Sequence, residues 1–136
     1  MEYKQVAVSV IIKDDKVLAV KRAKTQSLPG KWHLPGGKLE SKETFAHALH
    51  RELMEELELK SQINDQIAQV KCSFPHGEYD LHFFRVMLYE GNIKLDPEDN
   101  EEYRWFSLFD MDTVEWLPLD KQVAILGLLE GMKHGV

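Results

Sequence analysis

Residues 37–59 read GKLESKETFAHALHRELMEELEL, and this stretch decides how the rest of the chain is interpreted. If a helix begins near Ser41, then Glu52, Glu55 and Glu56 stand at positions i, i+3 and i+4 and project from one stripe of its surface. Each like-charged pair costs an isolated helix roughly 0.2–0.5 kcal/mol, so the spacing favours a site where a hard cation such as Mg²⁺ neutralises the carboxylates. Charge runs are also common on solvated helix faces, so the spacing alone leaves both interpretations open.

A second stripe of the same predicted helix is apolar. Its members recur every four residues: Phe45, Leu49, Leu53 and Leu57. A helix of this kind can bury one face and present its carboxylates on another. Ser41 is the predicted N-cap, although the strict capping-box spacing is absent.

The wider segment resembles the signature of the Nudix hydrolases. Gly37 is followed by Glu43 and then by the run RELMEE at residues 51–56, so every charged position of that signature is present. Glu58 stands where the family usually has a second glycine, which implies a left-handed residue at the helix end. A glutamate tolerates that backbone at a cost of roughly 1–2 kcal/mol, so we expect a modified helix end with unchanged chemistry. The signature spans 23 residues, and weaker matches to MutT-type nucleotide pyrophosphatases extend over most of the chain.

Length and composition are those of one small globular domain. The chain has 136 residues, of which 43% are hydrophobic and 29% charged, and this is enough for a single core and one domain at residues 1–136. No apolar run approaches the ~20 residues of a membrane span, and the start MEYKQVAVSV lacks the pattern of a secretory signal. We therefore expect a cytoplasmic protein that has no membrane partner.

Charge and cysteine usage exclude several kinds of site. Cys72 is the only cysteine, so the chain has no internal disulfide and no zinc site built on several thiolates. The net charge of −6 argues against binding a nucleic-acid polymer, which requires clustered Lys and Arg. An anionic small molecule would therefore be bound locally, by metal ions and a few basic side chains. The sequence does not indicate an oligomeric state.

Strand-like and helical segments are mixed along the chain. Runs of β-branched and apolar residues predict strands at residues 6–12, 17–22, 66–74, 80–89 and 103–107, the first two as a hairpin. A closing helix is predicted for residues 120–132, which carry a broad apolar face. Strands mixed with two helices predict an α/β layered domain. The Nudix resemblance implies the more specific α+β arrangement of a mixed β-sheet sandwiched between α-helices.

The resemblance also implies roles for the residues of the signature. Glu52, Glu55 and Glu56 are the expected metal ligands, joined by the backbone carbonyl of Gly36. The general base that takes a proton from the attacking water stays open among the acids, with Glu52 and Glu55 as catalytic candidates. Arg51 is the third expected catalytic residue, since a charge-assisted hydrogen bond would orient the Glu52 carboxylate and keep it ionised.

Four further positions complete the expected phosphate site. Gly37 and Glu43 are structural parts of the signature, and Glu43 is expected to brace the loop at the start of the helix. Asp99, in the acidic stretch before Trp105, is the loop acid expected to join the metal ligands. Arg22, at the end of the second predicted strand, matches a MutT-type arginine that contacts phosphate.

Recognition of the nucleobase is expected around the Pro-Gly-Gly turn and the start of the closing helix. The candidate substrate-binding residues are His33, Leu34, Phe74 and Asp120. Asp120 falls where MutT-type relatives place a residue that bonds the base edge. Aspartate is equally suited to cap a helix, so both roles of Asp120 stay open.

The expected chemistry uses water as the nucleophile. The chain shows no Ser/His/Asp or Cys/His arrangement, which favours metal-activated water over a covalent intermediate. The expected reaction is Mg²⁺-dependent hydrolysis of a (deoxy)nucleoside triphosphate to a nucleoside monophosphate and pyrophosphate, with Mn²⁺ as a substitute cation. Oxidised purine and cytosine nucleotides are the candidate substrates. A nucleoside diphosphate linked to a sugar or another group is the alternative substrate, and a nucleotide-binding sensor is the non-enzymatic alternative.

Overall fold

The computed structural model describes residues 2–88 and 92–133, so the predicted strand end at Tyr89 and the Met132 side chain lie outside what it describes. In chain order the elements are β1 (Lys4–Lys13), β2 (Lys16–Arg22), β3 (Trp32–His33), β4 (Gly36–Lys38), α1 (Phe45–Leu57), β5 (Ser61–Phe74), β6 (Gly77–Leu88), β7 (Asn100–Phe106), a 3₁₀ helix (Met111–Thr113) and α2 (Asp120–Lys133). None of the helices in these two ranges is long and apolar enough to cross a membrane.

The strands form one mixed sheet. β1 lies parallel to β6 and antiparallel to β2 and β4, so it connects the two halves of the sheet. β2 pairs antiparallel with β3 and β7, and β5 and β6 form a long antiparallel hairpin. The β1/β4 pairing sets Gly36 opposite Val8 and Gly37 opposite Ala7. The Pro-Gly-Gly turn is therefore attached directly to the central strand.

The two helices cover opposite faces of this sheet. Because side chains alternate along a strand, Val8 and Val10 of β1 pack in the cluster that includes α2, while Ala7 and Ile11 pack in the cluster that includes α1. The buried residues of the helices are Val123, Ala124 and Leu128 on α2 and Ala48, Leu49, Leu53 and Leu57 on α1. The predicted sandwich of a mixed sheet between helices is confirmed.

Helix α1 begins later than predicted. Its N-cap is Thr44, whose Oγ1 accepts a hydrogen bond from the His47 N–H at 3.1 Å. Ser41 lies instead in a turn closed by the Glu43 N–H, which donates to the carbonyl oxygen three residues earlier at 3.1 Å. The prediction of Ser41 as N-cap was wrong, because this turn delays the first helical residue to Phe45.

The other end of α1 has the left-handed residue that the resemblance implied. Glu58 has φ 53° and ψ 40°. Its N–H donates to the Met54 carbonyl oxygen at 3.1 Å, and the Leu59 N–H donates to the Leu53 carbonyl oxygen at 3.2 Å. Leu59 follows and is buried against α1. The helix therefore ends with a glutamate in a conformation that favours glycine.

Several strand limits differ from those predicted. β5 begins at Ser61 instead of residue 66, because register shifts on both sides of Gln66 interrupt the alternation that the prediction used. β7 begins at Asn100 instead of residue 103, since its acidic residues pair with the end of β2. β3 and β4 have two and three residues, too few for a periodic pattern to predict.

Candidate active site

Arg51 connects the carboxylates of α1. Its Nε and Nη2 atoms donate to the two carboxylate oxygens of Glu43, each at 2.8 Å, as a bidentate pair. Its Nη1 atom donates to Glu52 Oε1 at 2.8 Å and lies 3.5 Å from Glu55 Oε2. Nη2 also donates to the Lys38 carbonyl oxygen at 3.1 Å. The hydrogen bond from Arg51 lowers the pKa of Glu43 to about 2, so this carboxylate stays ionised and ties its loop to the helix.

Glu52 lies against the backbone of Gly37. A Cβ atom on Gly37 would overlap the Glu52 carboxylate, so a larger residue there would have to displace it. Burial raises the pKa of Glu52, and the hydrogen bond from Arg51 opposes this rise. The negative charges of Glu55 and Asp99 raise the pKa of Glu52 further. The Glu52 carboxylate is thus held between the Arg51 guanidinium and the neighbouring acids.

Glu56 carries a buried oxygen atom that nothing around it satisfies. Its Oε2 atom has no hydrogen-bond partner among the described residues. Burial raises the pKa of Glu56 well above its usual range, and the negative charges of Glu52 and Asp99 add to this rise. The nearby Gly36 backbone partly opposes the rise. A buried carboxylate oxygen without a partner is costly, so this position is suited to a cation.

Asp99 reaches the cluster from the loop before β7. The Ala23 N–H donates to the Asp99 carbonyl oxygen at 3.1 Å, and the Asp96 N–H donates to the Glu56 carbonyl oxygen at 3.1 Å. These two bonds attach the loop to the end of β2 and to α1. Burial and the charge of Asp96 raise the pKa of Asp99, while Arg22 opposes that rise.

Arg22 brings a positive charge near the same acids. Its Nε donates to the Ser27 carbonyl oxygen at 2.5 Å, and its Nη2 donates to Ser27 Oγ at 3.0 Å. Burial lowers the pKa of Arg22, and the negative charges of Glu56 and Asp99 oppose that change. The guanidinium is therefore held by an exposed loop and lies close enough to the acid cluster to interact with it.

The donor set fits a hard divalent cation. All candidate donors are oxygen atoms, and they belong to Glu52, Glu55, Glu56, Asp99 and the Gly36 backbone. No group of three or more acids, histidines or cysteines within residues 2–88 and 92–133 has the arrangement of a preformed ion site. Arg51 draws Glu52 and Glu55 towards itself, and repulsion separates acids that lack a counterion. A bound cation would satisfy Glu56 Oε2 and relieve this repulsion.

His33 uses both ring nitrogens within the protein. Its Nδ1 atom lies 3.1 Å from the Leu34 carbonyl oxygen, and its Nε2 atom lies 2.9 Å from Asn100 Oδ1. Burial lowers the pKa of His33. The imidazole therefore links the Pro-Gly-Gly turn to the first residue of β7.

Leu34 and Asp120 are joined by a buried hydrogen bond. The Leu34 N–H donates to Asp120 Oδ2 at 2.8 Å, and the two residues are 2% and 7% exposed. Burial raises the pKa of Asp120 to about 7. The chain before α2 is held beside β3, because the Trp32 N–H donates to the Glu115 carbonyl oxygen and the Leu117 N–H donates to that of Trp32. Asp120 thus connects the first turn of α2 to the Pro-Gly-Gly turn.

Phe74 lies at the tip of the β5/β6 hairpin. Its ring stacks on His76 with centroids 5.5 Å apart, and the Tyr79 ring centroid is 5.9 Å away. Side-chain alternation puts Phe74 on the face of Val70, which packs in the α2-side cluster. Leu34 belongs to the same cluster, so the two candidates share a face of the sheet.

Two residues of the site were not expected from the sequence. Asn100 is 2% exposed and bonds His33, while Ser27 holds Arg22 through its carbonyl and hydroxyl oxygens. Asn100 is the amide within the acidic run PEDNEE at residues 97–102, and this was the one available signal. Its burial depends on the pairing of β7 with β2, which no local pattern reveals.

Comparisons with known proteins identify sequence relatives. The family described as NUDIX domain matches residues 3–125. The oxidized purine nucleoside triphosphate hydrolase of Danio rerio is 34% identical over 120 residues, which cover 79% of this chain and 74% of that protein. The 8-oxo-dGTP diphosphatase of Escherichia coli (strain K12) is 28% identical over 126 residues, which cover 90% of this chain and 95% of that protein.

A solved structure shares the fold. The MutT protein from Methanosarcina mazei Go1 superposes with a TM-score of 0.82 and 24% sequence identity, covering 96% of each chain. The likeness between the two structures concerns the arrangement of the sheet and helices. The family match extends over most of the chain and includes the acid-bearing helix and the Pro-Gly-Gly turn. The chain therefore belongs to the Nudix family and is a Nudix hydrolase.

Proposed function

We propose that residues 1–136 form one catalytic domain that hydrolyses a (deoxy)nucleoside triphosphate to a nucleoside monophosphate and pyrophosphate, and that its substrate is an oxidised purine nucleotide. The buried, unpartnered Glu56 Oε2 carries the proposal, because it marks a position for a cation within a cluster of acids. The relatives from Danio rerio and Escherichia coli are named for oxidised purine nucleotides, which supports the substrate class.

The proposed cofactor is Mg²⁺, with Mn²⁺ as a substitute. The residues that would hold it are Glu52, Glu55, Glu56, Asp99 and the Gly36 carbonyl group. A bound divalent ion would offset charge on the phosphates and lower the pKa of the attacking water. Arg51 favours the ionised form of Glu52 through its 2.8 Å hydrogen bond, which supports Glu52 as the acceptor of a proton from that water. The bidentate pair with Glu43 keeps Arg51 in place for this role.

Arg22 is proposed to bind the phosphates, and the α2 face of the sheet is proposed to bind the base. Ser27 holds the Nε/Nη2 edge of the Arg22 guanidinium, which would direct its remaining donors to a phosphate oxygen. Phe74 would supply apolar surface on the α2 face, where the Leu34 side chain is buried. Asp120 is fixed through Oδ2 by the Leu34 N–H, and its second oxygen would bond the edge of the base.

A substrate panel tests the proposed function. Purified protein with Mg²⁺ or Mn²⁺ should release pyrophosphate and a nucleoside monophosphate from triphosphates, with the highest kcat/KM for an oxidised purine nucleotide. Hydrolysis confined to sugar-linked nucleoside diphosphates would reject the triphosphate assignment. Nucleotide binding without release of phosphate or pyrophosphate from any substrate would indicate a sensor and contradict catalysis.

A further inference from the structure

We propose that His33 and Asn100 form a positioning pair that fixes the turn at residues 35–36 relative to the loop that carries Asp99. The inference rests on the proposed function, because this turn and this loop supply different ligands of the proposed cation site. Neither side chain of the pair is proposed to touch the cation or the phosphates. Their role is to keep the two sets of ligands at the separation that a cation needs.

The pair joins two segments that are distant in the sequence. His33 Nε2 lies 2.9 Å from Asn100 Oδ1, although the residues are 67 positions apart. Asn100 is 2% exposed, and His33 is partly buried on the short strand β3. A buried amide that loses its hydrogen-bond partner is costly, so this contact helps to fix the relative positions of the two segments.

On one side the pair leads to the Pro-Gly-Gly turn. His33 Nδ1 lies 3.1 Å from the carbonyl oxygen of the next residue. The Pro35 carbonyl oxygen then accepts hydrogen bonds from the Ser9 N–H at 2.8 Å and from Ser9 Oγ at 2.6 Å. The Gly36 backbone, one residue later, interacts with the Glu56 carboxylate and partly opposes the rise of its pKa. A displacement of His33 would therefore be transmitted along three residues to the backbone that contacts Glu56.

On the other side the pair leads to Asp99. Asn100 is the first residue of β7 and follows Asp99 directly. It pairs with Arg22 at the register shift between β2 and β7, where the ladder itself is interrupted. The Ala23 N–H holds the Asp99 carbonyl oxygen at 3.1 Å. The amide of Asn100 thus supplies a side-chain anchor where the backbone ladder is irregular.

An imidazole has the donor and the acceptor that this link requires. Neutral histidine carries one N–H and one acceptor nitrogen. Nδ1–H donates to the carbonyl oxygen, and Nε2 accepts from the Asn100 NH₂ group when the amide is turned by 180°, an orientation that hydrogen bonding decides. Both nitrogens of His33 are then used inside the protein. A substitution should therefore change cation affinity and leave the ranking of nucleobases unchanged.

The chain offers a matched control for the test. His82 Nε2 lies 3.0 Å from Gln5 Oε1, so it makes a comparable histidine–amide contact. His82 is also buried and lies on the α1 face beside the Phe45 ring, outside the proposed site. The test pair is His33→Leu and Asn100→Ala, and the control pair is His82→Leu and Gln5→Ala. Each pair removes an interior histidine–amide bond, and His82→Leu also removes the 3.0 Å contact of His82 Nδ1 with Gln66 Nε2, so the control loses at least as much hydrogen bonding as the test pair.

The first measurement is Mn²⁺ affinity without substrate, by electron paramagnetic resonance of free Mn²⁺. His33→Leu and Asn100→Ala should each weaken binding by about 10–100-fold, the usual effect of removing an outer positioning group. The double variant should lose no more than the stronger single variant, because the two residues act through one contact. In turnover, the Mg²⁺ concentration at half-maximal rate should rise while the kcat/KM ranking of substrates stays the same. Both control variants should bind Mn²⁺ as the wild type does.

The outcomes separate this inference from the proposed function. Wild-type Mn²⁺ affinity in folded His33→Leu and Asn100→Ala, with an active wild-type enzyme, would overturn the inference alone. A changed substrate ranking with unchanged Mn²⁺ affinity would also overturn it and would assign His33 to the base. A wild-type protein that neither binds Mn²⁺ nor hydrolyses any substrate would refute the proposed function and the inference together. Asn100→Ser is a smaller change that tests the same contact if Asn100→Ala does not fold.

Discussion

Glu56 and its neighbours on α1 differ in how their charge is balanced. Arg51 bonds Glu43 and Glu52 at 2.8 Å, whereas Glu56 Oε2 is buried without a partner among the described residues. Glutamine keeps the size of the side chain and removes the charge that attracts a divalent ion. We therefore expect Glu56→Gln to lower kcat/KM by orders of magnitude and to leave the melting temperature unchanged or higher, since one source of repulsion is gone.

Glu98 provides the control for that substitution. It is exposed and directly precedes Asp99, so Glu98→Gln removes a nearby negative charge without altering the buried cluster. Steady-state kinetics with Mg²⁺ should give wild-type turnover for this control. Turnover of Glu56→Gln equal to that of Glu98→Gln would show that Glu56 does not hold the cation.

Asp120 should make the ligand-free protein less stable as the pH rises. Burial raises its pKa to about 7 in the folded state, compared with about 3.9 in an unfolded chain. Between these values the folded state binds more protons than the unfolded state, so the free energy of unfolding falls as the pH rises from about 4 through about 7. Urea denaturation across this range should show a smaller fall in Asp120→Asn. Equal pH dependence in the two proteins would mean that Asp120 ionises normally.

The same substitution tests whether Asp120 reads the base. A carboxylate only accepts hydrogen bonds when ionised, while an amide both donates and accepts. A base contact would therefore shift the relative kcat/KM among nucleoside triphosphates by about 1–3 kcal/mol in Asp120→Asn. Dependence on Mg²⁺ should stay the same, since Asp120 is not among the proposed ligands. Unchanged ratios across the panel would reject the base-reading role and leave Asp120 as a support for Leu34.

Helix α1 shows which features of an element a local sequence pattern predicts and which it does not. The apolar stripe of Leu49, Leu53 and Leu57 is buried as its spacing predicted, because helical periodicity alone sets which residues share a face. The predicted start of the helix at Ser41 was wrong. The backbone hydrogen bond from Glu43 to Glu40 forms a turn there, and the helix begins only after Thr44. The position of an N-cap depends on which of several local hydrogen bonds forms, so the residue type at one position does not determine it.

The left-handed end of α1 gives a prediction about stability. Glu58 has φ 53°, a conformation that costs a residue with a Cβ roughly 1–2 kcal/mol. Glycine adopts this conformation without that cost, which should stabilise the folded state. Its higher conformational entropy in the unfolded chain offsets about 0.4–1 kcal/mol of this stabilisation. Glu58→Gly should therefore raise the free energy of unfolding by up to about 1 kcal/mol in urea denaturation, with unchanged turnover.

Glu58→Ala separates the backbone effect from the loss of charge. Alanine at this position keeps the unfavourable backbone conformation. It also removes the exposed ion pair between Glu58 Oε2 and Lys94 Nζ, which are 3.8 Å apart. Exposed pairs of this kind contribute little, so Glu58→Ala should be no more stable than the wild type. A stability gain of equal size in both variants would exclude backbone strain as its cause.

Across the whole molecule, contacts between distant segments decide what sequence patterns leave open. Glu52, Glu55 and Glu56 were grouped correctly on one helix, since their spacing is local. Among the four acids in residues 98–102, the sequence favoured Asp99 only through its distance from Trp105. Which of these side chains points inward depends on the pairing of β7 with β2, and no local pattern predicts that pairing. The contact of His33 with Asn100 spans 67 residues and could not be predicted from either segment. The fold class was therefore more predictable than the site.

This dependence on distant segments leads to a prediction for the entire fold. The proposed ligands come from α1, from β4 and from the loop before β7, so the site exists only when the chain is folded. A cation that binds only the folded state adds about 2.7 kcal/mol at 100 times its dissociation constant, which corresponds to a rise of roughly 10 °C in Tm for a domain of this length. Thermal unfolding with increasing MgCl₂ or MnCl₂ should show this rise in the wild type and in Glu98→Gln, and little of it in Glu56→Gln. An equal rise in Glu56→Gln would show that the cation does not bind at the buried Oε2 atom. The proposed function would then lose its main structural support.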